Sequence, residues 1–320
     1  MDHAAQVIQK GSQNMKLALG TAQLGMNYGI ANKTGQPSPS SARGILELAN
    51  QSSVELLDTA SGYGESETII GQYIRTFREA GQNQPFQIVT KIPDPFEGEV
   101  QSAAEARTGM KDQVLLSMER LNLSRLDYCL LHSPKSMFSH DGLAVEWLKE
   151  LKQDGLIGKV GISVYTPEDV ERYLELDGLD VIQVPINIID TRLLRSGLLA
   201  ELGSRHIEIH ARSVFLQGLL LMPLDEIPAY LQKAVPYIKQ LHALASELHL
   251  TCAELCLIYV RDLKEIGRIV VGCETENQLR EHIEAMRLPV LPQGVRDDIQ
   301  RMFGQISDDI LNPSCWGKPK

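Results

Sequence analysis

Cysteine is scarce and odd in number, with five in 320 residues, so no disulfide framework holds this chain together. Cys129 and Cys273 fall in strand-like or strand-end segments where a small thiol packs well, and all five read as reduced in a cytoplasmic protein. Cys252 and Cys256 stand one helical turn apart without a second pair or a nearby His, and no metal site is expected from them. Positive charge is also short: 31 Lys and Arg against 41 Asp and Glu leave a net charge of −10. Such a surface repels nucleic-acid phosphates and anionic lipid, and no Lys/Arg block overrides it. The longest apolar stretches, such as Arg268–Gly272, are strand-sized and far below the ~20 residues of a membrane span. The first residues, Met1-Asp-His-Ala-Ala-Gln, lack the basic and apolar regions of a signal peptide. No partner of nucleic-acid or membrane type is expected, and nothing in the sequence speaks to oligomeric state.

Hydrophobic residues make up 43% and charged ones 22%, with 25 Gly and 15 Pro scattered along the chain, a composition able to bury a large core. Short β-branched or apolar runs recur throughout: Leu17–Gly20, Val54–Asp58, Phe86–Lys91, Leu126–His132, Lys159–Ser163, Val181–Val184, Glu208–Ser213 and Arg268–Val271. Helical periodicity fills the intervals over Ser41–Asn50, Glu67–Glu79, Lys111–Leu121, Gly142–Asp154, Pro167–Glu175, Thr191–Leu202, Pro228–Leu250 with Ala253–Leu263, and Glu276–Met286. Most strand starts are spaced by the ~30 residues of a βαβ unit, and no linker breaks the rhythm. The sequence therefore predicts an α/β protein, a single-domain (β/α)8 TIM barrel over residues 16–290, with an N-terminal extension at 1–15 and a C-terminal tail at 291–320 packing on the barrel.

Barrels of this kind place chemistry at the C-terminal ends of their strands. The second run ends at Asp58, the third at Lys91 and the fourth at His132, and strands ~4.8 Å apart bring these groups around one rim. Gly62 and Gly64 can fold Tyr63 over them. Alone, each has a plain structural role available: a loop-capping Asp, a solvated Lys, a His bonded to a carbonyl. Together they make an acid site. An ammonium beside a phenol is expected to lower the tyrosine pKa from ~10, a carboxylate holds the ammonium in place, and an imidazole can bond a carbonyl oxygen.

The segments Leu57-Asp-Thr-Ala-Ser-Gly-Tyr-Gly-Glu-Ser-Glu67, Val89-Thr-Lys91, Asp127-Tyr-Cys-Leu-Leu-His132 and Gly158-Lys-Val-Gly-Ile-Ser163 resemble the aldo-keto reductase family. That resemblance implies reduction of an aldehyde or ketone by NADPH or NADH, with Tyr63 as general acid, Lys91 and Asp58 tuning it and His132 orienting a small-molecule carbonyl substrate. It also implies that Gly20, Thr21, Ala22 and Asp58 lie beneath the nicotinamide and that Ser163 and Gln183 hold its carboxamide. Ser213, Phe215, Leu216, Gln217 and Gly218 match the family's pyrophosphate loop, and Gly272, Thr275, Gln278, Glu281 and His282 its adenosine end. Backbone N–H groups after the seventh and eighth strands suit an anion on physical grounds as well.

Three positions depart from the family's pattern. Val164 stands where an Asn usually follows the strand-five serine, and Arg212 replaces the aromatic residue that many members stack on the nicotinamide. Glu274 and Glu276 occupy the eighth loop, where NADPH-preferring members place Lys or Arg, leaving Arg280 as the only nearby cation. This loop favours NADH, or use of both dinucleotides. Tyr28, Phe96, Met137, Phe138 and Trp316 are candidates for an apolar substrate mouth, and the few aromatics, 5% of residues, suit a small polar or sugar-derived carbonyl better than a broad aromatic ligand.

Other barrel chemistries stay open at this point: a Schiff-base aldolase using Lys91, a metal-dependent hydrolase using His206 and His210, and a nicotinamide-binding regulatory subunit. The first requires a lysine with a depressed pKa, which Asp58 opposes, and the second requires partners that the sequence does not supply.

Overall fold

The computed structural model describes residues 15–97 and 102–317, so the expected extension at 1–15 lies outside the described residues except for Met15. Eight parallel strands close a barrel in sequence order: β1 Leu17–Gly20, β2 Leu56–Asp58, β3 Gln87–Ile92, β4 Leu126–Leu131, β5 Ile157–Ser163, β6 Val181–Pro185, β7 Glu208–Arg212 and β8 Arg268–Gly272. β8 returns to pair with β1, Ala18 opposite Val270. Helices cover the outside, which is why the strands read as nearly continuous apolar runs rather than alternating ones.

The pleat determines which side chains reach the barrel interior. Ala18, Leu56, Val89, Tyr128, Leu130 and Val181 form a small inner core, whereas Leu17, Leu19, Leu57, Ile88, Cys129 and Leu131 join the larger core beneath the helices. Two residues further along a strand the same face returns. Leu56 is therefore followed on the inner face by Asp58, Val89 by Lys91, Leu130 by His132 and Val181 by Gln183. Polar groups at these positions cap an apolar interior.

Several elements differ in extent from the sequence pattern. The helix after β3 spans Ala103–Arg120, starting well before Lys111 because the Ser102 hydroxyl accepts from the Glu105 N–H and caps it. The Thr191–Leu202 segment is two helices, Arg192–Arg195 and Leu198–Ser204, parted by Gly197 at φ +80°. Pro228–Leu250 opens as the 3₁₀ turn Ala229–Ala234 before the helix Val235–Glu247. The tail forms the helices Gln293–Met302 and Asp308–Leu311 and buries Ile299, Phe303, Ile310 and Leu311. Asp308 bonds Arg192 at 2.6 Å and Asp309 bonds Lys233 at 2.9 Å, so the tail is tied to the segments that follow β6 and β7. No single described helix is long and apolar enough to cross a membrane.

Candidate active site

Asp58, Lys91, Tyr63 and His132 converge at the C-terminal rim of β2, β3 and β4. The Lys91 ammonium donates to Asp58 Oδ1 at 2.6 Å and to the Thr59 carbonyl at 2.8 Å, and both residues of the pair are buried. The second Asp58 oxygen accepts from Gln183 Nε2 at 2.6 Å, which links the rim across from β2 to β6. Lys91 Nζ lies 5.0 Å from the centre of the Tyr63 ring, and His132 meets that ring edge-on at 5.6 Å between centroids. With its ammonium engaged in this way, Lys91 is not a free amine nucleophile of the aldolase kind.

The Tyr63 loop is seated by close contact. Gly64 has φ +54°, the left-handed region that favours glycine, and a Cβ there would lie 2.3 Å from the Gly25 carbonyl. Gly25 is equally confined: a Cβ on it would lie 1.9 Å from the Tyr63 carbonyl oxygen and 2.4 Å from Ser66 N. Gly62 meets nothing within 4 Å and carries no such constraint. Beneath this contact the buried hydroxyls of Thr59, Ser66 and Thr21 form a chain, and Thr21 Oγ1 donates to the Asp58 carbonyl at 2.9 Å.

Electrostatics correct one expectation. The Tyr63 phenol is shifted up, not down: burial is the larger cause and the Asp58 carboxylate adds to it, with Arg212 opposing. Because Asp58 sits against the lysine, the pair presents the phenol with little net positive charge. His132 moves the other way, to about 4, through burial and then the cations of Lys91 and Arg212, so its imidazole is neutral.

The remaining rim residues lie at the ends of β5 to β8. Arg212 Nε donates to Ser163 Oγ at 3.3 Å, Nη1 to Ser213 Oγ at 3.0 Å and Nη2 to the Val164 carbonyl at 2.8 Å. After β7 the chain passes through positive φ at Ser213, Leu216, Gln217 and Gly218. A Cβ at Gly218 would meet Ala31 Cβ at 2.4 Å, and the Gln217 carbonyl accepts from Ile30 N, clamping this loop to the one after β1. Phe215 reaches the helix Glu276–Ala285 that follows β8, its ring 5.2 Å from that of His282. Gly20 and Ala22 flank Thr21 at the end of β1, and Gly272 lies against the Gln23 side chain.

Three sequence-assigned positions, Leu216, Gln278 and Glu281, are occupied differently. The Leu216 side chain is wholly buried, so only its backbone can face a ligand. The Gln278 carboxamide oxygen accepts from Glu274 N at 2.7 Å and Thr275 N at 3.3 Å, closing a capping box on the helix Glu276–Ala285. Glu281 accepts from Asn277 at 2.7 Å on the exposed face of that helix. Glu276 lies against Gly44 of the helix Pro39–Gln51, where a Cβ would meet its Oε1 at 2.1 Å.

The aldo/keto reductase family profile matches residues 16–302. This chain belongs to the aldo/keto reductase family. It is an oxidoreductase of the class that acts on small-molecule carbonyls with NAD(P)H. Among its relatives is the NADH-specific methylglyoxal reductase of Escherichia coli, 24% identical over 274 residues, which cover 76% of this chain and 82% of that one. Another is the uncharacterized oxidoreductase YqkF of Bacillus subtilis, 27% identical over 315 residues, covering 92% and 97%. The holo structure of aldo-keto reductase AKR11C1 from Bacillus halodurans shares the fold at a TM-score of 0.71 and 22% identity, with 90% of this chain and 91% of that one covered.

In this aldo/keto reductase three of the five candidate mouth aromatics and sulfurs serve packing. Phe96 stacks on His140 at 3.6 Å and lies 5.5 Å from Trp147, Met137 is buried, and Trp316 is buried in the tail with its indole N–H donating to the Ile310 carbonyl at 3.0 Å. Phe138 is exposed beneath the Arg172 guanidinium, and Tyr28, 37% exposed, is the one whose phenol feels Tyr63, Arg212 and Tyr165. Sequence reasoning missed Gly25, Tyr165 and Asn187. Asn187 is buried, and its side chain bonds the Ser213 carbonyl while accepting from Ile189 N and Asp190 N, so it fixes the loops after β6 and β7 together. Its place just past the end of β6 was the one available signal.

Proposed function

We propose that this chain reduces an aldehyde or ketone to an alcohol at the Tyr63 hydroxyl, drawing hydride from a nicotinamide dinucleotide. The convergence of Tyr63 with the buried Lys91–Asp58 pair and a neutral His132 carries this reading. A bound reduced dinucleotide supplies the hydride. His132, uncharged, donates a hydrogen bond to the substrate carbonyl oxygen without holding it as an ion pair. Tyr63, whose raised pKa keeps its proton in the resting site, passes that proton to the same oxygen as negative charge develops there. The phenolate left behind belongs to a ring whose centre lies 5.0 Å from the Lys91 ammonium, which Asp58 and the Thr59 carbonyl hold in place.

The residues present suit the dinucleotide. His282, buried against Phe215, leaves Nδ1 without a partner, and the left-handed Gly218 keeps the seventh loop close to Ala31. Thr21, Ser163, Gln183 and Arg212 would hold the nicotinamide end, and Gly272, Thr275 and His282 the adenosine end. Glu274 in the eighth loop, with Arg280 exposed on the following helix, supports NADH or dual use, as does the NADH-specific relative. The catalytic unit in this reading is the barrel of residues 16–290, and its substrate a small polar or sugar-derived carbonyl compound.

Tyr63→Phe is expected to lower carbonyl reduction at least a hundredfold while the affinity for dinucleotide, measured by fluorescence titration, changes less than threefold. Full turnover in this variant removes Tyr63 as the acid. The same titration with NADH and NADPH checks the cofactor reading, which fails if NADPH binds more than tenfold tighter, a difference of ~1.4 kcal/mol.

A further inference from the structure

Arg212 carries a charge that none of its partners answers. Its guanidinium spans from β7 to β5, bonding Ser163 Oγ, Ser213 Oγ and the Val164 carbonyl, and its Cζ lies 4.6 Å above the centre of the Tyr165 ring. All of these groups are neutral. The other cation at the rim, Lys91, is matched by Asp58 at 2.6 Å. Among Asp58, Lys91 and Arg212 the rim therefore holds one uncompensated positive charge, fixed by three hydrogen bonds and a ring contact. Its field reaches across the opening: it opposes protonation of His132 and favours ionisation of Tyr63. The two departures from the family's pattern in this region are also one arrangement. Val164 brings no side-chain amide to the rim, and its backbone carbonyl is what Arg212 binds.

We propose that Arg212 makes this site bind the reduced, uncharged nicotinamide in preference to the oxidised, cationic one. The inference rests on the reading of this rim as the nicotinamide site. A nicotinamide held at this rim would become cationic on giving up its hydride, and Arg212, fixed by its bonds to Ser163, Ser213 and the Val164 carbonyl, would face it with a like charge. Like charges brought together at a partly buried rim repel more than they would in open water. Arg212 thus lowers the affinity for the spent cofactor and speeds its exchange for a reduced one.

The test is calorimetric or fluorescence titration of the full chain with the reduced and oxidised forms of the dinucleotide that it binds, compared among the wild type, Arg212→Gln and Arg212→Lys. The wild type is expected to bind the reduced form at least tenfold tighter. Arg212→Gln narrows that ratio below threefold, mainly by tightening the oxidised form, and Arg212→Lys retains most of it. Equal wild-type affinities, or a ratio unchanged in Arg212→Gln, overturn the inference and leave the reductase reading intact. Failure of the wild type to bind either form of NAD(H) or NADP(H) overturns the site reading and the inference with it.

Discussion

At Tyr63 two influences compete, and their balance explains how one side chain can be both inert at rest and acidic in turnover. Burial and the Asp58 carboxylate hold the proton on, while the cations nearby stabilise the phenolate once the proton has gone. Since the phenol is raised and His132 sits at about 4, neither group of the free enzyme ionises across the neutral range. The kcat/KM for carbonyl reduction is expected to stay level within twofold between roughly pH 5.5 and 9, measured at saturating cofactor. A descending limb centred between pH 7 and 8.5 would mean that the phenol is depressed after all. Three of the four groups, Asp58, Lys91 and His132, were legible as strand-end residues, and Tyr63 as a loop residue between two glycines. The sign of the Tyr63 shift was not, because it depends first on how deeply the folded chain buries the phenol and then on the Asp58 carboxylate beside it, neither of which spacing along the chain conveys.

The element that delivers Tyr63 is the turn between β2 and the helix Ser66–Glu79, and it is positioned by contact with Gly25 rather than by its own flexibility. Gly25→Ala forces a Cβ into the Tyr63 carbonyl, where the turn must move. Reduction is expected to fall at least tenfold in this variant with the barrel still folded by circular dichroism, whereas Gly62→Ala, which meets nothing, stays within twofold. Sequence reading gave this role to the glycines flanking the tyrosine and was right about Gly64 alone. Gly25 lies 38 positions upstream of Tyr63 and becomes its neighbour only when β1 and β2 pair, Gly20 beside Asp58. Helix limits followed a similar rule. Thr166, Thr251 and Thr275 begin capping boxes that the sequence displays, while Gly197 breaks a segment whose apolar periodicity runs straight through it.

Across the whole molecule, buried histidine makes the fold sensitive to acid. His282 is 6% exposed, and burial depresses it from the ordinary 6.5 to about 4; His132 is shifted in the same sense. In the unfolded chain such a histidine binds its proton near pH 6.5, so between there and pH 4 the unfolded state holds more protons and stability falls as pH drops. Above pH 6.5 the effect vanishes. At pH 5 His282 alone is expected to cost on the order of 2 kcal/mol of unfolding free energy relative to pH 7. Urea unfolding of the wild type and His282→Gln at both values checks this: the variant should lose less on acidification, and an equal loss refutes the assignment.

What the chain determines by itself is the alternation of strands and helices and which residues end each strand, since the pleat repeats every two residues and a polar group after an apolar inner run must reach the rim. Asp58, Lys91 and His132 follow from that periodicity. Closure of the barrel decided the rest. It brought Gln183 to Asp58, Arg212 to Val164 and Gly25 to Tyr63, because charge balance and close packing depend on distances between segments that are far apart in the chain.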